Sequence, residues 1–202
     1  MEKVILIGGA PTTGKSTMAQ MLSKHLDLPW ISTDQIREIM TATVNQESFP
    51  HLFSEKGYTP ERFYEEFSTE QIADKEMMQG DEVWRGIQAL IQKDLTWRTG
   101  CIIEGVNILP HLVARDFKDD RRIKTVFLVD DDADRVREVI FSRGLWEEAS
   151  KYSDEAKEKE IEWVQLFSHK LKTEAQHYEY PCIEVQKHNN DLRRILKALE
   201  LE

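Results

Sequence analysis

The sequence predicts a doubly wound α/β fold: a parallel five-stranded sheet with helices on both faces and one inserted helical lobe. Three observations carry this. Short apolar runs alternate with helical spacings, a glycine-rich stretch follows the first run directly, and one long interval holds no strand signal. The 202 residues are 40% hydrophobic and 32% charged, enough to bury a sizeable core within one domain over 1–202.

Val4 to Ile7 reads as a buried strand, and Lys15 to Leu26 places Met18, Leu22 and Leu26 at helical spacing. Pro29-Trp30-Ile31 is a short second strand, followed by a helix through Ile36, Ile39 and Met40. The rhythm then breaks. Residues 44 to 100 carry Phe49, Phe53, Tyr58, Phe63, Tyr64 and Phe67, then a long helical pattern from about Thr69 to Trp97. This is read as a helical lobe over 41–99, with those aromatics as its core. Cys101-Ile102-Ile103 and Thr125 to Val129 are the third and fourth strands, and Cys182 to Val185 is the fifth. Between them, Ala133 to Arg143 is a helix capped by an aspartate and ended by Gly144. A long helix over about Asp154 to Tyr178 has Ile161, Val164, Leu171, Ala175 and Tyr178 on one side, with Phe167 at the edge of that stripe. Its Lys- and Glu-rich face is read as solvated. Asp191 to Leu199 is a short amphipathic helix.

Composition excludes several classes. Lys and Arg number 27 against 37 Asp and Glu, a net charge of -10, so the surface repels polyanions and nucleic acid is disfavoured as a partner. A small anion in a locally positive cleft remains compatible. No apolar run approaches the ~20 residues that cross a bilayer, and glycine interrupts the N-terminal run too early for a signal peptide. Cys101 and Cys182 show no metal spacing and read as buried, reduced thiols, so the expected location is cytoplasmic without membrane contact. The histidines at 25, 51, 111, 169, 177 and 188 show no paired ligand spacing.

"GGAPTTGKST", residues 8 to 17, fits G-x-x-x-x-G-K-[ST] with Gly9, Gly14, Lys15 and Ser16 in the fixed places. Average composition gives about one chance match per 25,000 positions, and here a strand precedes and a helix follows, as the motif requires. Phosphate oxygens need several backbone N–H groups at once, so the chain must approach without side chains in the way. Gly9, Ala10, Pro11, Thr12, Thr13, Gly14, Lys15, Ser16 and Thr17 are therefore expected to bind a nucleoside triphosphate such as ATP, at the positive end of a helix. Lys15 is expected to reach the β- and γ-phosphates, and Ser16 to ligate Mg²⁺.

The remaining strand ends supply candidates for the second substrate. Asp34, in "ISTDQIREIM", sits where the second strand hands over to a helix, and ligands in such sheets lie outside the carboxyl ends of the strands. It either caps the helix or, with Ser32 and Gln35 forming the capping box, faces the cleft to take a hydroxyl proton or hold a metal-bound water. Arg37, one turn later, could clamp an anionic group. In "CIIEGVNILP", Glu104 ends the third strand, placed to orient Mg²⁺ through water or to position the acceptor, with Asn107 nearby. Arg135, Arg137 and Arg143 lie in or near a lid region over 135–155; the latter two are the stronger candidates for stabilising a transferring phosphoryl group. Asn189 and Asn190 could border the base.

Taken together, "IGGAPTTGKST", "ISTDQIREIM", "IIEGVNILP" and the Arg-bearing segment after "FLVDDD" resemble the P-loop small-molecule kinases, most closely the 2-phosphoglycerate kinase-like group. The layout is also similar to zeta-toxin and polynucleotide kinase relatives, where an Asp and an Arg stand at the places of Asp34 and Arg37. The resemblance implies ATP-dependent phosphorylation of a small anionic acceptor such as 2-phosphoglycerate, with Asp34 as the acceptor-side carboxylate and the helical lobe as the acceptor-binding region. The rival readings are a kinase of a nucleotide-sugar or of a nucleic-acid end, and a nucleotide-binding regulatory ATPase with no acceptor.

Overall fold

Val4–Gly9 forms β1, buried along its whole length, and it occupies the middle of the sheet in the computed structural model, which describes residues 3–186 and 191–201. The other strands are β2 (Trp30–Ser32), β3 (Cys101–Gly105), β4 (Ile123–Val129) and β5 (Cys182–Glu184). They pair in parallel in the order β2-β3-β1-β4-β5. The five expected strands are all present, with β2 shifted one residue toward the C-terminus. The helices are α1 (Lys15–Leu26), α2 (Thr33–Thr43), α3 (Pro60–Glu66), α4 (Thr69–Ile91), α5 (Asp94–Thr99), α6 (Pro110–Phe117), α7 (Ala133–Arg143), α8 (Asp154–His177) and α9 (Asp191–Ala198).

The two-residue period of the strands divides the core into two layers. Ile5, Ile7, Ile102, Val126 and Leu128 point to one face, where Ala19 and Leu22 of α1 and Ile195 and Leu196 of α9 cover them. Val4, Leu6, Ile103 and Phe127 point to the other, against α4, α6 and α8. Covering on both faces explains why these strands read as unbroken apolar runs.

Between β2 and β3 lie the later turns of α2, a 3₁₀ turn at Pro50–Phe53, and α3, α4 and α5. Phe63 and Tyr64 are buried here, and the Phe63 ring lies 5.0 Å from that of Phe67, so these aromatics are core, as the sequence suggests. The helical pattern expected from Thr69 to Trp97 is two helices. Lys93 is extended (φ −82, ψ 139), and the Thr96 hydroxyl donates to the Leu90 carbonyl at 2.6 Å, satisfying the end of α4 and starting α5 at a new angle. Ile39 is 62% exposed instead of joining Ile36 in the core. Cys101 is buried, whereas Cys182 is only half-buried.

At the end of β3 the chain passes so close to α2 that a Cβ on Gly105 would lie 1.7 Å from the Thr33 hydroxyl oxygen. Gly105→Ala is therefore expected to cost about 2 kcal/mol or more, lowering the urea midpoint. An unchanged midpoint would show that this strand exit is not close-packed.

His111 of α6 ties three helices together. Its Nδ1 is 2.9 Å from Glu174 Oε1 on α8 and its Nε2 is 3.5 Å from Asp81 Oδ1 on α4. The bond to Glu174, then the two negative charges, raise its pKa against the effect of burial. A raised histidine stabilises the fold fully below its unfolded value of about 6.5, and the gain fades as pH rises through the folded value. His111→Gln should flatten the loss of stability seen on raising pH from about 6 toward 8. Parallel urea-unfolding curves for the two proteins across that window would rule the interaction out.

Candidate active site

Strand register brings the candidate residues level. Glu104 lies opposite both Ile7 of β1 and Ser32 of β2, so the loop after β1, the start of α2 and the end of β3 share one edge of the sheet. They open onto a cleft of about 610 Å³ lined, among others, by Lys15, Asp34, Arg37, Glu104 and Arg143.

The loop after β1 turns through two left-handed residues, Thr12 (φ 70) and Gly14 (φ 76). Thr12 carries a side chain in a conformation that L-residues avoid, and such strain concentrates where a site is built. The Thr13 hydroxyl donates to the Ala10 carbonyl at 2.8 Å and fixes the turn. No side chain caps α1, so its first N–H groups are left facing the cleft, and a Cβ on Gly14 would meet nothing within 4 Å. This is an anion cradle at a helix N-terminus. Lys15, only 8% exposed, donates to the Ala10 carbonyl at 2.6 Å. Burial pushes its ammonium pKa down to about 8, with Glu104 and Asp34 pulling the other way. Glu104 is 2% exposed, its Oε1 has no partner, and burial raises its pKa against the pull of Lys15.

Across the cleft, Asp34 is freed from capping duty. Its own N–H is bonded to the Ser32 hydroxyl at 3.0 Å, and Gln35 Oε1 accepts from the Ser32 N–H at 3.1 Å. The Asp34 carboxylate is exposed and lines the cleft. Arg37 is held from behind: its Nη1 donates to Gln79 Oε1 of α4 at 3.2 Å, and its Nη2 lies 3.7 Å from Glu38. Sequence reasoning missed Gln79, and it also missed Glu55 and Glu76, which line the same end of the cleft. Burial raises the pKa of both glutamates; that of Glu76 reaches about 8, with Glu55 adding to the rise and Arg37 opposing it. A signal for two of these existed. Glu76 and Gln79 fall in step with Ile72, Ala73, Gly80 and Val83 on the buried stripe of α4.

Of Arg135, Arg137 and Arg143, only Arg143 lines the cleft. Arg137 forks onto Glu158 on the outer surface, and Arg135 is locked to the buried Asp130. Helical geometry explains the difference. Arg143 follows Val136 and Ile140 on the inward side of α7, whereas Arg137 is one residue, about 100°, off that line. Arg137 is thus removed from the candidate catalytic set by position. Asn107 is fully buried with both amide atoms unpartnered and does not line the cleft. Asn189 and Asn190 lie outside the described residues.

The segment after Gly144 is clasped by a carboxylate that the sequence placed on a solvated face. Glu160 of α8 is 0% exposed and accepts from the hydroxyls of Tyr152 at 2.6 Å and Tyr64 at 3.0 Å. The Tyr152 hydroxyl in turn accepts from the Leu145 N–H at 3.0 Å, and the Trp146 ring lies 5.0 Å from Phe63. The clue was its spacing, because Glu160, Val164, Phe167 and Leu171 form one stripe.

A parallel sheet in this order, with a phosphate loop leaving its central strand, is the fold of the P-loop kinases. A family model described as cytidylate kinase-like matches residues 4–186, and the chain belongs to that family. Curated relatives include a 2-phosphoglycerate kinase of Methanococcus vannielii, 36% identical over 121 residues, covering 56% of this chain and 38% of that one. A 2-phosphoglycerate kinase of Methanothermobacter thermautotrophicus is 29% identical over 146 residues, covering 69% and 47%. The chain thus spans less than half the length of either relative. Among solved structures, a shikimate kinase from Bacteroides thetaiotaomicron superposes with a TM-score of 0.54 at 18% identity, covering 98% of this chain and 99% of that one. A gluconokinase from Sinorhizobium meliloti gives 0.54 at 14%, covering 98% and 90%. Among the described residues, no helix is long and apolar enough to cross a membrane.

Replacing Glu160 by Leu leaves two buried phenol hydroxyls without an acceptor. This should cost about 2–4 kcal/mol and expose residues 144–152 to limited proteolysis. Native-like protection of that segment in Glu160→Leu would show that the clasp does not hold it.

Proposed function

We propose that the protein is an ATP-dependent kinase that phosphorylates a hydroxyl of a small-molecule acceptor. The observation that carries this is the presence of Lys15 and an uncommitted Asp34 on the walls of one cleft, with Arg143 beside them. The family and the fold support it. A regulatory ATPase leaves Asp34 and Arg37 without a task, and a nucleic-acid end would meet a cleft lined by several carboxylates.

The donors fit a magnesium-bound triphosphate. The Gly14 cradle is open, α1 has no side-chain cap, and the Ser16 hydroxyl neighbours Glu104, whose buried Oε1 lacks a partner. Bound ATP supplies the γ-phosphoryl group, and Mg²⁺ supplies positive charge at its oxygens. Residues 9–17, apart from Pro11, which has no N–H, would hold the phosphates through main-chain N–H groups and Lys15, and Ser16 and Glu104 would hold the Mg²⁺ beside them. Asp34 accepts the proton of the acceptor hydroxyl as its oxygen bonds to phosphorus and the bridge to ADP breaks. Arg143 offsets charge on the transferring group. Residues 41–99 form the acceptor side and residues 135–155 the lid. The name shared by the curated relatives makes 2-phosphoglycerate the first acceptor to test, with Arg37 facing its charge.

Asp34→Asn should reduce transfer by at least about a hundredfold while nucleotide affinity, read by equilibrium titration, stays within about threefold. Wild-type turnover in that variant would remove Asp34 from the reaction.

A further inference from the structure

Resting on the kinase reading above, we infer that Gln79 is a positioning residue: it aims the Arg37 guanidinium into the cleft and, being a neutral amide, leaves that charge for an anionic acceptor. Gln79 lies on α4 and is 2% exposed, while Arg37 extends from α2 and lines the cleft. The two meet at 3.2 Å, with Arg37 Nη1 donating to Gln79 Oε1. The other end of the amide is held as well. Its Nε2 donates to the His51 carbonyl at 3.5 Å, in the 3₁₀ turn whose Leu52 N–H donates at 2.9 Å to Glu82 of α4. A guanidinium only donates and a carbonyl only accepts, so the side chain between them must accept at one end and donate at the other. Glutamine does both; an ionised glutamate cannot donate, and a lysine cannot accept.

The neutrality of that amide matters as much as its reach. The carboxyl groups facing Arg37 are Asp34, Glu38, Glu55 and Glu76. The Glu38 side chain is 74% exposed, so its approach to Nη2 at 3.7 Å is weakened by solvent. Burial raises the pKa of Glu55 and lifts that of Glu76 to about 8, so near neutral pH the Glu76 carboxyl is largely protonated and cancels little of the guanidinium charge. A buried carboxylate in the place of Gln79 would bond the guanidinium and quench its charge, whereas the amide orients it and adds none. A guanidinium already oriented also loses less rotamer freedom when it meets a carboxylate or phosphate of the acceptor.

The test follows transfer from ATP to 2-phosphoglycerate by mass shift in the full chain with Mg²⁺, with D-glucose as the neutral comparison. Gln79→Met, Gln79→Glu, Arg37→Ala and the double variant Arg37→Ala/Gln79→Met are run beside wild type. The expected result is a KM for 2-phosphoglycerate raised about tenfold in both Gln79 variants, with kcat and nucleotide affinity within about threefold of wild type. The double variant should match Arg37→Ala alone, because Gln79 acts through the arginine. Should Gln79→Met fail to fold, Gln79→Glu, which keeps the wild-type shape, takes its place in every comparison. An unmoved KM in either folded variant, or a double variant in which the two effects multiply, overturns the assignment of Gln79. Transfer to glucose with 2-phosphoglycerate inert overturns it too and leaves the kinase reading standing, as does ATP binding with no product from either acceptor. Loss of ATP binding in wild type, or ATP hydrolysis without phosphorylated product, defeats the kinase reading and this inference with it.

Discussion

A nearly buried ammonium governs the chemistry at this edge of the sheet. Lys15 follows directly on the turn after β1, so its side chain enters a region from which the core has already excluded water. A charge in that position is costly unless it is paired. The chain offers it the Ala10 carbonyl and the more distant influence of Glu104 and Asp34, and its pKa falls to about 8 all the same. Glu104, drawn into the same dry region, has the opposite problem. On the proposed reading, a bound phosphate would relieve the lysine and a hydrogen-bond donor would relieve the carboxylate, so that binding and charge compensation would be one event in this cleft.

The parts legible in the sequence were those whose cause is local. Apolar runs located the strands because both faces of this sheet are covered, and the phosphate loop is defined by neighbours in the chain. Asp34 was readable because the competing role, helix capping, could be assigned to Ser32 and Gln35. The far wall of the cleft was not legible in this way. Glu55 follows the 3₁₀ turn, Glu76 and the Arg37-binding Gln79 belong to α4, and Trp163 belongs to α8, so they come together only when these elements pack. Glu160 and Glu76 shared one deception, since each resembles the charged face of a long helix while standing in line with its buried stripe. Arg137 and Arg143 reversed it. Their residue type is identical, and only the turn of α7 decides which side of the molecule each one serves.

Glu160 also links parts of the cleft that the chain order keeps apart. Its bonds reach Tyr64 in α3 and Tyr152 after the lid turn, while Trp146 rests against Phe63 and Tyr64. Arg143 is two residues before Leu145, whose N–H belongs to the same network. Arg143 beside the loop after β1 and the aromatic wall formed by Phe63, Tyr64 and Trp146 are thus parts of one packed body. A displacement of residues 144–152 must either carry the Tyr64 side of the lobe with it or leave a buried carboxylate and two phenols without partners, which is expensive.

The two ends of the cleft present different chemical groups. The phosphate end presents backbone N–H groups, Lys15 and Arg143; the far end presents Asp34, Glu55 and Glu76 around one arginine. Burial raises the pKa of Glu55 and lifts that of Glu76 to about 8, so near neutral pH the Glu76 carboxyl is largely protonated and can donate as well as accept a hydrogen bond. On the proposed reading, a protein with a net charge of -10 needs no cationic surface to hold a triphosphate, because the main-chain N–H groups, Lys15 and Arg143 gather positive character at one end of the cleft.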